Sequence, residues 1–138
     1  MSCLANDPYA SDFTGAEQVD LPGLLRRSDV VSLHVPLTEG TRHLIDATAL
    51  AAMRPGAVLI NAARGGVVED AALCAALRSG HLGGAALDTF ETEPLGPDHP
   101  FADVPNLILT PHIGGVTREA NARVSEMIAR GVVAEIGL

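Results

Sequence analysis

The 138 residues carry 47% apolar and only 19% charged side chains, enough to bury a core and too apolar for an intrinsically disordered chain. A formal net charge of −8, with no run of Lys and Arg, argues against nucleic acid and anionic membrane surfaces as partners. Cys3 and Cys74 stand far apart without CxxC spacing, so neither a disulfide framework nor a metal site is expected, and a reducing cytoplasm fits best. The N-terminus lacks a charged stretch leading into an apolar one, and no apolar run has the roughly 18 residues of a membrane span. Aromatic residues make up 3%, so the core must be filled by Ala, Val, Leu and Ile, which favours an α/β fold with helices packed on a sheet.

Four short apolar runs, residues 29–35, 57–60, 84–87 and 106–110, are expected as strands buried on both faces. Between the first two, a helix is expected from Asp46, whose carboxylate can cap the free N–H groups, to Met53. A second runs from Glu69 to Ser79 and stops at Gly80. Residues 91–105 contain Pro94, Pro97, Pro100 and Pro105, which forbid helix and central strand and leave a long loop. A last helix runs from Thr117 to about Ile136, with Ala120, Val124, Met127, Ile128 and Val132 near one face that is expected to pack. Strands alternating with helices through short connections imply a parallel sheet, in which ligands bind beyond the C-terminal strand ends.

Those strand ends carry Arg64 after the second strand, Asp88 and Glu93 after the third, and His112 with Gly114 and Gly115 after the fourth. Hydride reduction of a 2-keto acid needs a cation for the carboxylate, a proton donor at the carbonyl oxygen, and an anion that keeps the donor protonated. Arg64, His112 and Glu93 can fill these roles, because guanidinium matches a carboxylate bidentately and imidazole titrates near neutrality beside a carboxylate. Taken singly, Arg64 reads as a solvated loop residue and His112 as a structural histidine; only their joint placement favours chemistry. His34 fits a strand end, while His43, His81 and His99 read as surface residues without a catalytic pattern.

The ordered segments LHVPLT, INAARGGVVED, LDTFETEP and TPHIGG resemble the signature blocks of the D-isomer-specific 2-hydroxyacid dehydrogenases, a family that includes phosphoglycerate dehydrogenase. The resemblance runs from Asp7 into the final helix. It implies a partial Rossmann-type, doubly wound parallel sheet, with residues 1–138 forming part of an NAD-binding domain. It further implies that Arg64 binds the substrate carboxylate, His112 is the acid/base and Glu93 its supporting acid, chosen over Glu91 because it lies at the family's distance from Asp88. Asp7 resembles the acid that binds the adenosine ribose and favours NAD over NADP, although Asp-Pro also opens turns. Asp88 resembles the acid facing the nicotinamide carboxamide. Pro36, Ala62, Ala63, Arg64, His112, Gly114 and Gly115 match cofactor-contact positions, the glycines serving equally well as tight bends.

No GxGxxG precedes Asp7, so the sheet is expected to be truncated on its N-terminal side, without the phosphate loop or a separate substrate domain. Two functions of different class follow. One is an NAD-dependent oxidoreductase fragment interconverting a D-2-hydroxy acid and its 2-keto acid. The other is a catalytically silent, truncated cofactor-binding or interaction module. For the isolated chain, weak or no dinucleotide binding is expected, with self-association through an incomplete sheet. The resemblance leaves a homodimer open and does not specify which 2-hydroxy acid is used.

Overall fold

The computed structural model describes residues 2–10 and 13–137. Its elements in chain order are β1 (Leu4–Ala5), β2 (Glu17–Gln18), α1 (Leu21–Arg27), β3 (Val30–Leu33), α2 (Ala47–Ala52), β4 (Val58–Asn61), α3 (Asp70–Arg78), β5 (Gly84–Leu87), β6 (Leu107–Leu109) and α4 (Arg118–Ile136). β1 and β2 form a two-stranded parallel sheet, and β3-β4-β5-β6 form a four-stranded parallel sheet in sequence order. The expected strands and the helices between them are therefore present, each within a few residues of its expected bounds.

Local chemistry explains the helix starts. Asp46 accepts the Ala49 N–H at 2.8 Å and starts α2, and Gly80 lies at φ 73 after α3. α1, which the periodicity did not announce, begins where Asp20 accepts the Gly23 N–H at 2.8 Å, with a proline in its first turn. α1 packs on α2, and α2 on α3, as one helical layer. Leu25, Leu50, Leu73 and Leu77 from this layer join Val31, Leu33, Leu59, Ala85 and Leu87 from the sheet in the core.

Two expectations about burial are not met. The sheet is covered on one face: β3 alternates exposed and buried, and Val30 and Ile108 on the other face are 56% and 66% exposed. α4, capped by Thr117 accepting the Ala120 N–H at 3.0 Å, has no buried residue. Its apolar stripe of Val124, Met127, Ile128 and Val132 lies in solvent rather than against the sheet. The amphipathic pattern specifies a helix but not its partner. Among the described residues, no helix is long and apolar enough to cross a membrane.

Candidate active site

Strand register aligns the ends that carry the chemistry. Leu33 pairs with Asn61, Asn61 with Leu87 and Leu87 with Leu109, so the segments that follow all leave the sheet at one rim. Arg64, Asp88, Glu93, His112, Gly114 and Gly115 belong to these segments, and Pro36 follows β3 on the same side. Asp7 does not: it follows β1 on the two-stranded sheet, is exposed, and accepts the Tyr9 N–H at 2.8 Å.

After β4 the chain turns around Asn61, which is 1% exposed. Its amide donates to the Arg64 carbonyl at 3.0 Å, and its oxygen accepts the Ala63 N–H at 3.1 Å. These bonds hold Ala62, Ala63 and Arg64 in a fixed turn, so Asn61 is a positioning residue that the sequence reading passed over. The Arg64 guanidinium is exposed and donates to the Ala63 carbonyl at 2.7 Å. Gly65 lets this turn press on the next loop: a Cβ there would lie 1.7 Å from the Phe90 carbonyl oxygen.

Past β5, Asp88 is 7% exposed, and its carboxylate organises the segment after β6. It accepts the Thr110 hydroxyl, the Ile113 N–H at 2.9 Å and the Gly114 N–H at 2.7 Å. Burial pushes the Asp88 carboxyl up, but these three bonds and the neighbouring His112 outweigh it and hold it below the usual carboxylate range. A Cβ on Gly114 would approach the Asp88 Oδ2 to 2.9 Å, so glycine is needed where the carboxylate sits this close.

His112 has φ 54, a left-handed conformation uncommon outside glycine, and the Asp88-bound loop maintains it. Its Nδ1 lies 2.8 Å from Glu93 Oε2, while Glu93 Oε1 accepts the Phe90 N–H at 2.9 Å. The His112 hydrogen bond, then that N–H, keep the Glu93 carboxyl below its usual range despite opposing burial and the charge of Asp88. A carboxylate at Nδ1 fixes the proton there and turns Nε2 outward on a ring whose side chain is 50% exposed. The pair lines a cavity of about 620 Å³ with Phe90, Pro94, Leu95, Leu109, Thr110 and Pro111. Arg64, on the turn after β4, is not among the residues lining this cavity.

His81, expected at the surface, is part-buried with Nε2 3.0 Å from the Leu50 carbonyl oxygen, and a second departure is His43. It is half-buried, with Nε2 2.8 Å from Glu91 Oε1, beside Asp70 in a second cavity of about 590 Å³. Burial, then the charge of Glu91, push the Asp70 carboxyl up to about 6, against the pull of the Glu91 backbone N–H and His43. An acid whose folded pKa is raised stabilises the fold at low pH and loses that contribution as pH rises through the folded value. Asp70→Asn is therefore expected to raise the unfolding midpoint at pH 7 and to flatten the decline of stability between about pH 4 and 6. Thermal melts across that range check it.

The sequence model described as "D-isomer specific 2-hydroxyacid dehydrogenase, NAD binding domain" matches residues 1–114. The (S)-sulfolactate dehydrogenase of Chromohalobacter salexigens is 51% identical over 143 aligned positions, covering 100% of this chain and 46% of the relative. The glyoxylate reductase of Thermofilum pendens is 51% identical over 118, covering 86% of this chain and 35% of the relative. The apo D-mandelate dehydrogenase structure from Rhodotorula graminis superposes with a TM-score of 0.87 at 40% identity, covering 96% of this chain and 40% of that one. The chain thus spans less than half the length of these relatives. The match over residues 1–114, with relatives 51% identical across most of the chain, makes it a member of the D-isomer-specific 2-hydroxyacid dehydrogenase family, from its NAD-binding domain.

Proposed function

We propose that residues 1–138 are the part of an NAD-binding domain that supplies the carboxylate-binding and acid/base groups of a D-2-hydroxyacid dehydrogenase. The observation that carries this reading is the His112 Nδ1 to Glu93 Oε2 contact of 2.8 Å at the C-terminal rim of a parallel sheet. Arg64 holds the substrate carboxylate and draws electron density from the adjacent carbonyl. In reduction, protonated His112 gives its Nε2 proton to the carbonyl oxygen as the carbon is reduced. In oxidation, neutral His112 takes the hydroxyl proton. Glu93 keeps the ring oriented and stabilises its cationic form.

Two observations support a nicotinamide at this rim. The Asp88 Oδ2 accepts one N–H, from Gly114, and keeps an acceptor position for a carboxamide; a Cβ on Gly115 would meet nothing within 4 Å, leaving the backbone approachable. When bound, the nicotinamide supplies or accepts the hydride. Asp88, His112, Gly114 and Gly115 would hold that ring, Pro36, Ala62 and Ala63 would line its approach through their backbones, and Asp7 would meet the ribose and favour NAD over NADP. The substrate class is a small 2-hydroxy or 2-keto acid.

A second reading, a catalytically silent interaction module, is favoured by the apolar stripe of α4, where Val124, Met127, Ile128 and Val132 are 47–66% exposed. A chimera separates the two. Residues 1–138 replace the matching segment of the glyoxylate reductase, and glyoxylate-dependent NADH oxidation is measured. The enzyme reading predicts activity that falls by about 10²- to 10⁴-fold in kcat with His112→Asn. It also predicts a loss of roughly 10- to 100-fold in kcat/KM with Arg64→Lys, as charged hydrogen bonds are lost. A folded but inactive chimera favours the silent module.

A further inference from the structure

Two imidazole–carboxylate pairs flank a single loop. On one side, His112 and Glu93 line the site cavity; on the other, His43 and Glu91 line the second cavity with Asp70. Glu91 and Glu93 stand on either side of Thr92 in the loop. His43 has φ 50, and its N–H donates to the Gly66 carbonyl at 2.8 Å while its ring meets Glu91 at 2.8 Å. One residue thus grips both the turn that carries Arg64 and the loop that carries Glu93. At Gly65 the two segments meet backbone to backbone, since a Cβ there would lie 1.7 Å from the Phe90 carbonyl oxygen. Asp70 lines the same cavity as His43 and Glu91, from α3.

We propose that His43, acting through Glu91, is a positioning residue for the acid/base pair, holding the Arg64–Gly66 turn and the Glu91–Pro94 loop so that Glu93 meets His112. This rests on the reading of His112 and Glu93 given under Proposed function. The alternative is a turn histidine with an incidental ion pair. The two differ on His43→Gly: glycine suits a left-handed φ better than histidine does, so a mere turn residue would tolerate the change everywhere, whereas a positioning residue would not.

The test is carboxyl ¹³C NMR titration of Glu93 in the chain itself, which needs neither cofactor nor turnover. The expected result is that His43→Gly and Glu91→Ala each raise the Glu93 midpoint by about 0.5 or more toward the ordinary range. The double variant should raise it no further, because the two act as one unit. Glu91→Gln, which keeps an acceptor for the ring, should behave like the unaltered chain. His112→Ala is the control for the underlying pair. If it raises the Glu93 midpoint while His43→Gly and Glu91→Ala do not, the positioning role is overturned and the pair stands. If His112→Ala also leaves Glu93 unmoved, the pair and the proposal fail together.

Discussion

Gly65→Ala is expected to be among the most damaging single-methyl changes in the chain. The added Cβ would lie 1.7 Å from the Phe90 carbonyl oxygen and 2.8 Å from the Glu91 nitrogen, so two backbone segments, not a flexible side chain, would have to part. Overpacking typically costs about 1–3 kcal/mol, and with backbone rather than side chain having to move this change is expected at about 3 kcal/mol or more, a large share of the 5–15 kcal/mol typical of a whole domain. The same displacement would separate Arg64 from Glu93 and His112. Gly115→Ala is the control, because a methyl there meets nothing within 4 Å and should change stability by no more than about 0.5 kcal/mol. Urea unfolding of both variants checks the contrast.

Asp88→Ala carries the second large effect. It leaves the Thr110 hydroxyl and the Ile113 and Gly114 N–H groups without their acceptor. An unmatched donor costs about 1–3 kcal/mol where it is buried; these three are part-buried and water reaches them, so a total of about 2–4 kcal/mol is expected. Loss of dinucleotide binding in this variant is therefore no sign by itself of a direct contact, because the His112 loop is lost with it. Asp88→Asn should be milder at neutral pH. The Asp88 carboxyl is held below its usual range, so its stabilisation is present above the ordinary carboxylate value and is lost as pH falls through the lowered one. The acid limb of stability against pH should accordingly be flatter in Asp88→Asn than in the unaltered chain, which acid-range melts measure.

What could be read from the chain divides along physical lines. β3 to β6 were legible because each is an apolar run ended by Gly, Pro or polar residues, and their ends followed from the parallel order. β1 and β2, two residues each, are too short to show a period. α1 is under two turns, and its signal was the cap, Asp20 followed by Leu21 and Pro22. Of the site, Arg64 and His112 could be singled out by residue chemistry and Glu93 over Glu91 by the family's spacing from Asp88, but the work of Asn61 and Gly65 depends on turn geometry and close approach that composition does not express. The His43 to Glu91 contact joins residues 48 apart and has no local signature. α4 is the converse: its stripe was plain in the sequence, and the side it faces was not.

The most direct test of the central claim, that the strand-end rim is the nicotinamide and acid site, is amide chemical-shift mapping of residues 1–138 carried in the glyoxylate reductase chimera, titrated with NADH and a 2-keto acid analogue such as oxamate. The account predicts perturbations concentrated at Ala62, Ala63, Arg64, Asp88 and His112 to Gly115, with the NADH-dependent ones extending to Asp7. Perturbations centred instead on the cavity lined by His43, Asp70 and His99, with the rim unmoved at saturating ligand, would contradict it.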